Sequence, residues 1–116
     1  MATRFELVRE GDDQFYFQLR MSDGDIVLKG LASNSKVMTQ NEILHVRNCL
    51  RDDSRMVPHE DAQGQQFVVV KDRDGSVLAR SAKVATVDAL HELEHKMIAA
   101  ASAPIIDLAR KSRSAS

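Results

Sequence analysis

The chain has 116 residues, with 16 basic and 17 acidic side chains and a formal net charge of −1. That is one domain's length, and 43% hydrophobic content suffices for a core. The interspersed charges imply no large basic face, which weighs against non-specific nucleic-acid binding as the main task.

Cys49 is the single cysteine, so no intramolecular disulfide forms and a reducing, cytoplasmic setting is expected. No run approaches 18 apolar residues, and Met1-Ala2-Thr3-Arg4-Phe5-Glu6 lacks an apolar signal core, so no membrane span or secretion signal is expected. Only five aromatics are present, which predicts an aliphatic core.

Phe5, Leu7 and Val8 alternate before Gly11-Asp12-Asp13 and read as a first strand. Phe15 to Gly30 then reads as two strands joined by Asp23-Gly24, a strong hairpin signal. With the turn there, Met21 faces Ile26, Leu19 faces Leu28 and Phe17 faces Gly30. Tyr16, Gln18, Arg20, Val27 and Lys29 fall on the opposite, polar face. Ser33 or Ser35 can cap a helix running to about Leu50, with Met38, Ile43, Val46 and Leu50 as its apolar stripe.

After the polar break Arg51–Arg55, Met56 and Val57 form a weak strand that Pro58 confines to an edge. Phe67–Lys71 is a strongly β-branched strand, Asp74-Gly75 turns the chain, and Val77–Ala79 returns. This second hairpin has Phe67, Val69 and Leu78 on its outer face and is expected to be the more buried. A helix follows from about Thr86 to Ala101, with Val87, Leu90, Leu93 and Met97 as its stripe. Ile105, Ile106 and Leu108 suggest a short helix with Pro104 near its first turn, docked on its own domain or on a second copy. Arg110–Ser116 is a polar tail expected to fray.

Asp23-Gly24 and Asp74-Gly75 lie 51 positions apart, a spacing that asks for a repeat. The expected fold is α+β: two tandem β-β-β-α repeats, 1–51 and 52–101, sharing one domain of antiparallel sheet packed against two helices. Residues 102–116 are the C-terminal extension. Counting from Gly24 to Ile43 and from Gly75 to Leu90 predicts a second connection one helical turn shorter than the first.

Phe5-Glu6-Leu7, Phe15-Tyr16-Phe17-Gln18-Leu19, Asp23-Gly24-Asp25-Ile26-Val27 and the Ser35-Lys36…Asn41-Glu42-Ile43…Val46 helix together resemble the YegP-like bacterial domain of unknown function. The resemblance covers about residues 4–50 well and 55–100 loosely. Glu42 stands where that family has Gly, and the second half lacks the Ser-Lys and Asn-Gly signatures. The resemblance implies a compact tandem-repeat α+β fold and supplies no catalytic residue.

His91-Glu92-Leu93-Glu94-His95 satisfies H-E-x-x-H on the second helix. Two histidines at i and i+4 can hold zinc, and Glu92 can act as base on a metal-bound water. A third ligand would have to be Asp107 or the distant His59. The favoured reading is two surface histidines on a charged helix face, with a metal-binding protein or a zinc hydrolase as the alternative. His45 and Cys49 are also spaced i, i+4, but two ligands rarely make a site. Asp12-Asp13, Asp52-Asp53 and Asp72/Asp74 fall in turns, where Asp bonds its own backbone.

No G-x-G-x-x-G, Walker or G-x-S-x-G motif occurs, and no cofactor is expected. Tyr16, Arg20 and Lys29, with the Arg110–Arg113 tail, form a thin platform for nucleic acid, since RNA-reading sheets use two or three exposed rings. The function expected from the sequence is a small non-enzymatic interaction or structural module, a homodimer or the partner of another protein, with weak nucleic-acid binding as a further alternative.

Overall fold

In the computed structural model, which describes residues 2–109, the hairpin signals become two three-stranded meanders. The first is β1 (Arg4–Arg9), β2 (Phe15–Arg20) and β3 (Ile26–Gly30), followed by α1 (Lys36–Cys49). The second is β4 (Met56–Glu60), β5 (Gln66–Lys71) and β6 (Val77–Ser81), followed by α2 (Val87–Ala99). A last strand, β7 (Ile105–Asp107), closes the described chain. All seven strands form one sheet in the order β4-β5-β6-β3-β2-β1-β7. The fold is therefore α+β, a mixed seven-stranded sheet with two helices.

The sheet is mixed rather than wholly antiparallel because β7 runs parallel to β1. The expected short helix at Ile105–Leu108 does not form. Two adjacent β-branched residues favour extended backbone. The uncovered edge of β1 offers partners, through Phe5 N–H to Pro104 O (2.8 Å) and Leu108 N–H to Leu7 O (2.9 Å). Lys36 Nζ, 2.7 Å from Asp107 Oδ2, ties the strand to α1. At the other edge Pro58 sits in β4, as expected.

The turns correct the predicted register. Met21 closes the first hairpin against Asp25, not Ile26, with Gly24 at φ 96° accepting the left-handed corner. Gly75, at φ 84°, does the same between Asp72 and Ser76. Each turn is braced by its Asp: Asp23 Oδ1 accepts from Asp25 N–H, and Asp72 Oδ1 from Asp74 and Ser76 N–H. Beyond the turn Arg20 pairs with Ile26 while Leu19 pairs with Leu28, so Val27 is an extra, bulged residue. Lys71 pairs with Val77 and Val70 with Ala79, so Leu78 is the extra residue of the second hairpin. Val27 and Leu78, expected on the outer face, join the core for this reason.

Both helices cover one face. Ser35 caps α1 through Met38 N–H and Thr86 caps α2 through Ala89 N–H. The two caps are also 51 positions apart, so the second connection is not a turn shorter. The miscount came from Thr39, which is fully buried and whose hydroxyl donates to Ser35 O at 3.0 Å. Thr39 lies four residues after its cap Ser35, as Leu90 lies four residues after its cap Thr86. Met38 and Val87, expected in the stripes, are exposed. The core joins Ile43, Val46, Leu90, Leu93 and Met97 to the inner rows of the sheet, which include Phe5, Leu7, Phe17, Leu19, Val68 and Val70.

Gly30 is required by close approach: a Cβ there would collide with the buried Phe17 ring.

Candidate functional site

The face of the sheet opposite the helices carries no secondary structure among the described residues. Strand register places one unbroken row across it: Val57, Val69, Arg80, Lys29, Gln18, Glu6 and Ile106. Alternation adds Arg4, Val8, Tyr16, Arg20 and Ile26 on the first meander's side. On the second it adds His59, Phe67, Lys71 and Val77.

Glu6 is the hub of the first half. The residue is 2% exposed, though its side chain faces the uncovered side. Arg4 Nε donates to Oε2 at 2.8 Å, while Gln18 Nε2 and Arg20 Nε donate to Oε1 at 2.8 and 3.0 Å. Burial pushes this carboxyl up. The hydrogen bonds from Gln18, Arg20 and Arg4, with the charge of Arg20, outweigh burial and hold it below its ordinary 4.5. Long side chains lying flat over the sheet account for this shielding.

Lys29 and Arg80 lie at the centre, directly opposite each other in the β3–β6 ladder. Both are exposed, and neither forms an ion pair among the described residues. The Lys29 ammonium lies 4.6 Å from the Tyr16 ring centroid. On the far side His59 stacks on Phe67 with centroids 5.5 Å apart, and Lys83 lies 5.8 Å from the Phe67 centroid. The Tyr16, Arg20 and Lys29 grouping expected from the sequence is thus assembled on one face. Arg80, Lys71, Phe67 and His59 were missed, because only the β3–β6 pairing brings them alongside. Arg110–Arg113 lie outside the described residues.

The histidine motif falls elsewhere. His91 and His95 are both exposed on α2, around a shallow hollow shared with Asp88, Glu92 and Lys96. No group of three or more His, Cys, Asp or Glu side chains arranged to hold a metal occurs among the described residues, so neither Asp107 nor His59 completes the set. Cys49 is buried as expected while His45 is exposed. Burial pushes the Cys49 thiol up, which disfavours the nucleophilic thiolate. Glu42, at the position where the resembled family has Gly, is half-buried, and burial raises its carboxyl against the opposing charge of His45.

An α+β domain with one sheet face under two helices and the other uncovered is the class this geometry defines. No family model and no curated protein matches the chain. Among solved structures, it is similar to the protein of unknown function yegP from E. coli, at 22% identity and TM-score 0.87 over 97% of each chain. It is also similar to a UPF0339 protein from Shewanella oneidensis, at 18% identity and TM-score 0.88, again over 97% of each chain. The chain has the YegP-like fold, and the resemblance carried by Phe5 to Val46 holds at the level of fold. No helix among the described residues is long and apolar enough to cross a membrane.

Proposed function

We propose that this chain is a non-enzymatic interaction module that binds polyanions on the uncovered face of its sheet. The observation that carries the reading is the Lys29–Arg80 pair. Like charges directly opposite in a ladder destabilise a sheet, and neutral or opposite-charge partners would serve stability better. A pair that violates a local stability rule on an exposed surface marks a functional position. The surrounding residues point the same way. Among the described strand residues, Arg4, Arg20, Lys29, Lys71 and Arg80 share the face with one acid, Glu6, giving it a formal charge of +4. The rest of the chain then carries −5, given a total of −1.

The same pair supports reading the two β-β-β-α halves, 1–51 and 52–101, as tandem copies of one unit within a single domain. Lys29 and Arg80 are 51 positions apart and face each other, as residues on a local twofold axis must. The bulged residues Val27 and Leu78, and the caps Ser35 and Thr86, keep the same interval.

Retention on immobilised heparin at low salt tests the binding reading. Despite its net negative charge the protein is expected to be retained, and Lys29→Gln/Arg80→Gln is expected to elute with the unbound fraction. Absence of wild-type retention overturns the proposal.

A further inference from the structure

Resting on the polyanion reading, we infer that the occupant of this face is single-stranded nucleic acid, with bases on the rings of Tyr16 and Phe67 and phosphates on Lys29 and Arg80. Charge complementarity selects an anion. A second copy of the chain is disfavoured as the occupant, because apposing two faces of charge +4 is repulsive.

The rings narrow the class further. Tyr16 and Phe67 are 51 positions apart and flank the central cations on opposite sides. Three strand spacings of about 4.8 Å and four residues of about 3.3 Å along the strands separate them by roughly 20 Å. That span suits a short run of nucleotides crossing the sheet diagonally. Planar rings beside cations that form no ion pair among the described residues match an anion that carries flat bases, whereas a sulfated sugar or acidic peptide engages the charges alone. His59, stacked on Phe67, presents its own exposed ring to solvent on that side. Lys29 lies over Tyr16, so a base takes that ring face by displacing the ammonium, which then meets the adjoining phosphate.

Single strands are favoured over duplex by shape. Among the described residues the face is an open sheet, with no helix or ribbon rising from it to enter a groove, and bases of a duplex are stacked away from a flat surface.

Fluorescence anisotropy with a labelled 12-nucleotide oligouridine tests the inference, with the same-length duplex, heparin and poly-glutamate as competitors and circular dichroism as the folding control. Oligouridine is expected to bind saturably and to outcompete duplex. Lys29→Gln/Arg80→Gln is expected to flatten the slope of log affinity against log salt by about 1.4, at about 0.7 per lost phosphate contact. Tyr16→Leu and Phe67→Leu are each expected to weaken binding between about fivefold and 150-fold while leaving that slope unchanged.

Phe67 is half-buried, so His59→Ala, at an exposed position, repeats the test with little risk to folding. Binding that is indifferent to all three ring changes, or duplex or poly-glutamate competing as well as the single strand, overturns the nucleic-acid inference and leaves the polyanion reading standing. Failure to bind both oligouridine and heparin overturns both.

Discussion

The two meanders solve the same problem with different chemistry. In the central outer row the first contributes Glu6, Gln18 and Lys29, and the second contributes Val57, Val69 and Arg80. Gln18 is 6% exposed and Val69 4%, so both positions are shielded although they face the uncovered side. One half shields a hydrogen-bonded carboxylate and the other a β-branched hydrocarbon. The backbone accepts either, because shielding comes from long neighbouring side chains rather than from a covering layer. What the halves share is a cation where they meet.

The largest expected effect separates these two solutions. Glu6→Ala should destabilise the fold by about 3 kcal/mol in urea unfolding, because it strands partly buried Arg4 and Arg20 without their acceptor. Arg4→Met/Glu6→Val/Gln18→Val/Arg20→Met, which replaces the acid and every group bonded to it with hydrocarbon, should cost less than Glu6→Ala alone, since no stranded charge remains. A larger loss in the fourfold variant would break the comparison. The acid response follows from the same site. The Glu6 carboxyl titrates below its ordinary value in the fold, so its contribution is full above pH 4.5 and is lost as pH falls through the lowered folded value. Glu42 has the opposite sign, favouring the fold most below pH 4.5 and less as pH rises through its raised folded value.

A smaller effect is expected on the inner face. Gly30 lies beneath Phe17, and Ser81, 51 positions further on, lies against Val68. The smaller Val68 leaves room for Ser81, whose Oγ accepts from Val68 N–H at 2.7 Å. Gly30→Ser alone should cost about 2 kcal/mol through overpacking against Phe17. Adding Phe17→Val should recover part of that loss, measured as a favourable coupling in a double-mutant cycle. Strict additivity would show that the Phe17 ring is not what excludes a side chain at position 30.

The smallest effect concerns what the halves hold in common. Ser35→Ala and Thr86→Ala should each lower stability by about 1 kcal/mol, since each removes the acceptor of one helix-terminal N–H. A marked difference between the two in thermal melts would show that the helices do not begin in the same way.

Legibility differed along the chain according to the range of the signal. Both hairpin regions, the edge position of β4, the burial of Cys49 and the approximate starts of the two helices, near Ser33 or Ser35 and near Thr86, could be read from the residues, because each depends on neighbours a few positions away. Val27 and Leu78 misled, because a bulge leaves no mark in residue type and moves the next residues to the other face. Thr39 hid the matching of the two helices behind a polar side chain that bonds its own helix. The candidate face was half visible, through Tyr16, Arg20 and Lys29 on one hairpin.

The amino-acid sequence by itself determined where the turns fall, the two meanders, the two helices, and the likeness to the YegP-like fold, since these arise from local backbone chemistry and short-period patterning. Only the tertiary structure decided that the meanders join antiparallel at Lys29 and Arg80, that Ile105–Asp107 becomes a parallel edge strand, and that the rings and cations of both halves share one face. Those outcomes depend on pairing between segments tens of residues apart, where hydrogen bonding and core packing select the partner and no short pattern announces it.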